Sequence, residues 1–133
     1  MEPIKVVLRY TDGRVLKGST QNFYPNKDRF HLFPADQSSN HSTEVSLVDL
    51  KAVFIVRDFM GDPDYDERKN YSAGEKTFGV RVEVTFQDGE IIVGSTVGYD
   101  LKRIGFFIFP ADPQSNNIRT FVVSSAVKRV RQI

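Results

Sequence analysis

Ile4, Val6, Leu8 and Tyr10 alternate with Lys5, Arg9 and Thr11, the period of two expected of a strand with one buried face, and Val7 is the one apolar exception. Asp12-Gly13 then predicts a hairpin turn, because Gly accepts positive φ without steric cost and Asp tolerates the position before it. Arg14 to Lys17 reads as the return strand. Gly18 closes it, since an isolated Gly in a strand pattern marks a bulge or the corner of a small barrel. Ser19 to Arg29 reads as bent strand and polar loop with Phe23 as a core anchor. Phe30 to Phe33 is a short third strand ended by Pro34, which has no N–H to donate. A polar loop, Asp36 to His41, leads to a strand from Thr43 to Val48, a single helical turn at Asp49 to Lys51, and a fifth strand from Ala52 to Val56.

The pattern then returns. Tyr10-Thr11-Asp12-Gly13-Arg14-Val15-Leu16-Lys17-Gly18-Ser19-Thr20 is echoed by Phe86-Gln87-Asp88-Gly89-Glu90-Ile91-Ile92-Val93-Gly94-Ser95-Thr96, and Phe33-Pro34-Ala35-Asp36 with Ser39-Asn40 by Phe109-Pro110-Ala111-Asp112 with Ser115-Asn116. The chain therefore divides into a first repeat at 1–56, a connector at 57–79 and a second repeat at 80–133. The fold class this predicts is all-β, a tandem pair of small five-stranded SH3-like barrels related by internal duplication. The second copy places Tyr99 where the first has Phe23. After the same kind of turn, Ser125 to Lys128 precedes a last strand, Arg129 to Ile133, with a slip of one residue. A repeat of this size alone buries only about 60% of its unfolded surface, so two halves that pack together are expected.

One strand of the second copy breaks the period. Phe106-Phe107-Ile108-Phe109 is apolar on both faces, where the first copy has His31, so its outer face needs a cover: the other repeat, the connector or a second molecule. The connector has no strand periodicity but carries Phe59, Tyr65, Tyr71 and Phe78, too many aromatics for a floppy linker, and it is expected to pack across a repeat.

The run from Leu8 to Gly18 resembles the first hairpin of Sm-like and other SH3-like barrels. More narrowly, both copies resemble a bacterial family of unknown function whose units carry an Asp-Gly turn, a bend Gly and Phe-Pro-Ala-Asp followed by Ser-Asn. That resemblance covers nearly the whole chain and implies a fold without an activity. The Asn and Arg-Gly signature with which Sm-like proteins contact nucleotides has no clear counterpart here.

Composition narrows the function classes. Zero Cys removes disulfides, thiolate zinc sites and cysteine nucleophiles, and permits a reducing compartment. No apolar run suits a signal peptide or approaches the ~20 residues of a membrane-spanning helix, so the expectation is a cytoplasmic protein with no membrane partner. Eighteen basic against 17 acidic residues give a formal charge of +1, far from the excess of a dedicated nucleic-acid binder. Asp62, Asp64 and Asp66 have the spacing of a calcium loop but lack its Gly and closing Glu, Glu67 and Ala73 standing there instead, so a solvated acidic turn is expected. His31 and His41 do not recur and have no nucleophile or metal-ligand cluster beside them in sequence, and neither catalysis nor a cofactor is expected.

The leading expectation is a non-catalytic protein-interaction module, monomeric or homodimeric. Its candidate binding surface comprises Phe107 and Phe109 with the repeated loop residues Asp36, Asn40, Asp112 and Asn116, although those carboxylates also suit turn-capping. The alternative is a binder of single-stranded nucleic acid or another anion through Lys102, Arg103, Lys128, Arg129 and Arg131, with Tyr99 available for stacking. Alternating Arg129 and Arg131 also fit the solvent face of a final strand.

Overall fold

The computed structural model describes residues 2–36 and 41–133. Its strands are β1 (Ile4–Tyr10), β2 (Val15–Thr20), β3 (Arg29–Pro34), β4 (Thr43–Ser46), β5 (Leu50–Val56), β6 (Val80–Phe86), β7 (Ile91–Thr96), β8 (Gly105–Pro110), β9 (Asn117–Val123) and β10 (Val127–Gln132). Two 3-10 turns, Leu47–Asp49 and Ser124–Ala126, lead into β5 and β10. All pairing is antiparallel, in one sheet of order β10-β6-β7-β8-β9-β5-β1-β2-β3-β4.

This corrects the expectation of two separate closed barrels. Each half has the same strand order, but the sheet does not close: β5 of the first half pairs with β9 of the second, Val53 opposite Phe121 and Phe54 opposite Thr120. A strand edge that could have sealed the first half on itself is spent on the other half. The sheet instead curls around two apolar clusters. Val45 on β4 and Ile55 on β5 lie far apart in the strand order yet share the first, with Val6, Leu8, Phe23 and Phe30; the second gathers Val82, Val84, Phe86, Phe106, Ile108 and Val127.

β9 serves both clusters because its side chains alternate. Val122 enters the second, while Phe121 and Val123 enter the first. Phe107 of β8 packs on the first from the same side, its ring 5.1 Å from Phe121 and 6.3 Å from Phe23, both edge to face. The other repeat is thus the cover for the outer face of the apolar strand. Full burial of a Phe is worth about 1.5–3 kcal/mol, and the half-buried Phe107 gains part of that.

The two Asp-Gly stretches take the same local geometry. Gly13 and Gly89 take φ of +96° and +93°, and Asp12 and Asp88 each accept the amide two residues on, at 3.0 and 2.9 Å. Gly18 and Gly94 are the corners: a Cβ would lie 2.3 Å from the Phe33 carbonyl oxygen at the first and 2.4 Å from that of Phe109 at the second. The one-residue slip falls earlier than the sequence suggests. Leu32 faces Thr43 where Ile108 faces Thr120, so the extra residue lies between β8 and β9 and not at the 3-10 turn.

Candidate functional site

Three places carry the residues of interest: the clasp that holds the connector, a cleft on the outer face of the sheet, and the free strand edges. Asp112 builds the clasp. Its carboxylate accepts the Tyr65 hydroxyl at 2.5 Å, the Arg68 amide at 3.0 Å and the Gln114 amide at 2.9 Å, and these bonds, led by Tyr65, hold its pKa below the usual aspartate value. The same bond raises the Tyr65 phenol. Asn116 clamps the connector's start, accepting the Asp58 amide at 3.0 Å and donating to the Asp58 carbonyl at 2.8 Å, while its own carbonyl accepts the Arg57 amide at 2.9 Å. Ser115 donates to Glu67.

The predicted surface residues therefore divide. Asp112 and Asn116 are engaged within the chain, Phe107 is packed between the halves, and Phe109 is half-buried in a hollow with Tyr71 and Phe78. Asp36 is exposed, and Asn40 lies outside the described residues. The connector packs across the sheet as expected, Phe59 lying 5.8 Å from the Lys5 ammonium and accepting the Lys17 ammonium on its carbonyl at 3.0 Å, although Phe78 stays open to solvent. Asp62 accepts the Asp64 amide at 3.0 Å, a local turn bond.

Between connector and sheet lies a cleft of about 630 Å³. Its apolar lining includes Val7, Val15, Phe54 and Ile91, of which Val15 and Ile91 are 45% and 54% exposed. Arg9, Lys17 and Lys69 also line it. The Arg9 guanidinium lies 5.5 Å over the Phe54 ring, and neither Arg9 nor Lys69 has a carboxylate partner among the described residues. At the seam beside it, buried Lys51 of β5 binds Asp88 at 2.7 Å and Glu90, and stands 4.7 Å over the Phe86 ring. Burial alone would lower the Lys51 pKa, but the two carboxylates outweigh it and raise it. Sequence reasoning missed this cleft. Its signal was the outward set Val7, Arg9, Val15 and Lys17, which the period of two places on the face opposite the core.

The basic candidates sit on two elements. Lys102 and Arg103 are exposed in the β7–β8 loop, their amides bonded to Asp100 at 2.9 and 3.0 Å. Lys128, Arg129 and Arg131 lie on the edge strand β10, where Arg131 pairs with Glu83 at 3.1 Å and Lys128 and Arg129 have no carboxylate partner among the described residues. Gln132 at the end of β10 donates to the Tyr99 hydroxyl of that loop at 3.4 Å. Among the described residues no helix is long and apolar enough to cross a membrane.

A model of a family of unknown function, DUF6982, matches residues 2–133. No curated protein and no solved structure matches the chain.

Proposed function

The chain belongs to this family of unknown function, and we propose that it is a non-catalytic protein-interaction module of the bacterial cytoplasm, built from two copies of an SH3-like unit. The observation that supports this reading is the outer-face cleft. Val15 and Ile91 stay half-exposed there beside Val7 and Phe54, under a connector that five backbone and side-chain bonds to Asp112 and Asn116 hold in place. Apolar surface kept open at a fixed concavity, with cations on its rim, suits the apolar and acidic side chains of another protein. The absence of cysteine suits a reducing compartment.

Affinity capture from nuclease-treated native lysate tests it, comparing the natural chain with Ile91→Glu. The expected result is a protein retained by the first and lost by the second. Retention of RNA in untreated lysate, falling steeply with salt and with no protein retained, would contradict it. That outcome would favour the second reading, an anion or single-stranded nucleic-acid binder, which draws on the exposed Lys102, Arg103, Lys128 and Arg129 beside Tyr99.

A further inference from the structure

The β5 edge of the first half and the β10 edge of the second occupy the same place in their repeats, but only one is filled. Against β5 lies β9, which sets Phe121 opposite Val53 and, with Phe107, surrounds Phe23; Phe23 thus contacts its own Phe30 at 5.2 Å and the incoming rings at 5.3 and 6.3 Å. In the second half Val130 stands for Val53, Tyr99 for Phe23 and Phe106 for Phe30. Tyr99 contacts Phe106 at 6.1 Å, and among the described residues no further ring meets it. Val130 is half-buried, and among the described residues β10 pairs with β6 alone. The hydroxyl at Tyr99 is the difference expected of an aromatic ring left at a wet boundary.

The structure assigns to the β10 edge, on this ground, the role of acceptor for an extended strand of another protein, added to the sheet as β9 is added to β5. It deepens the interaction reading above and rests on it. The register of the filled junction specifies the partner's side chains. The residue opposite Val130 takes the place of Phe121 and is aromatic, seated against Tyr99; the residue opposite Arg129 takes the place of Val122 and is acidic, since Arg129 and its neighbour Lys128 have no carboxylate of their own among the described residues. Arg131 contributes less because Glu83 already pairs it.

A second copy of this chain does not supply such a strand. The hairpin equivalent to β8–β9 is β3–β4, and it carries His31, Glu44 and Ser46 where the second half has Phe107, Phe121 and Val123. Glu44 is tied to Arg29 at 2.7 Å and would bring a carboxylate to the aromatic position. Two β10 edges would set Arg129 and Arg131 against their like.

The probe is the synthetic peptide of residues 116–124 carrying Val122→Glu, titrated into isotope-labelled full-length protein and followed by amide shifts. The expected result is saturable shifts along β10 and at Tyr99, abolished when the peptide also carries Phe121→Ser. Arg129→Glu, an exposed edge substitution, weakens that peptide roughly threefold and restores binding to the peptide bearing Val122→Lys. Shifts confined to Val15 and Ile91 would overturn the edge assignment and leave the interaction module standing. No shift with any peptide, while an oligouridine probe moves β10, would overturn the edge assignment in favour of an anion site. Self-association abolished by Arg129→Glu would overturn the exclusion of a second copy. Because the lysate capture reads the cleft through Ile91, its failure is separable from failure at the edge.

Discussion

Phe23 of the first half and Phe121 of the second meet edge to face with ring centroids 5.3 Å apart, so a buried aromatic contact of the first core is made with a residue from the other half. The halves are joined through their interiors as well as through the β5–β9 ladder.

Phe121→Ala accordingly costs about 3–5 kcal/mol, the range for emptying a fully buried Phe. The loss registers in both halves. Urea unfolding followed by tyrosine fluorescence reports the midpoint. A loss below ~1 kcal/mol would mean the ring is not a shared core element.

Lys51→Met removes the ammonium that lowers the Asp88 carboxyl, whose largest cause of depression is the Lys51 hydrogen bond. The Asp88 pKa rises toward the ordinary aspartate value, which carboxyl-detected NMR titration measures directly. Stability falls by about 1–2 kcal/mol, because the carboxylates left behind are half-exposed and keep their water.

The connector clasp titrates in acid. The folded pKa of Asp112 is depressed, so its ionised form stabilises the fold; that contribution is complete above the unfolded value of about 3.9 and disappears as pH falls through the lower folded value. Asp112→Asn removes it at every pH, so the variant is less stable at neutrality and the two proteins converge in strong acid. Urea midpoints from pH 6 to pH 2 show the convergence.

Gly18→Ala and Gly94→Ala each push a methyl group against a backbone carbonyl and a core side chain, Leu32 at the first and Ile108 at the second. Each costs about 1–3 kcal/mol. Gly98→Ala, where a Cβ meets nothing within 4 Å, is the control and shifts the thermal midpoint little.

Much of this was legible in the residues themselves. The period of two located β1, Asp-Gly located both hairpin turns, and Gly18 and Gly94, which lie within β2 and β7 and not at their ends as expected, marked both corners, because each signal is local. The cover over Phe107 could be anticipated from the apolar pattern of β8, but not its identity, which depends on β9 pairing across to β5. That long-range pairing also explains why one open sheet stands where two closed barrels were expected. The roles of Asp112 and Asn116 were half visible: their loop repeats in sequence, yet the connector bonds become visible only in three dimensions, where Asp112 and Asn116 meet Tyr65, Arg68 and Asp58. The cleft escaped because Arg9, Lys17 and Ile91 read as ordinary solvent-facing residues until the connector lies over them.

Amide hydrogen exchange in the free protein compares β5 with β10 directly. Both edges of β5 are paired, whereas among the described residues β10 has β6 on one side only. The expected result is slow exchange at every amide of β5, and at β10 slow exchange only for the amides facing β6, with the alternate set exchanging fast. Uniform protection along β10 equal to that of β5 would contradict the account, since the edge assigned to a partner would then already be occupied.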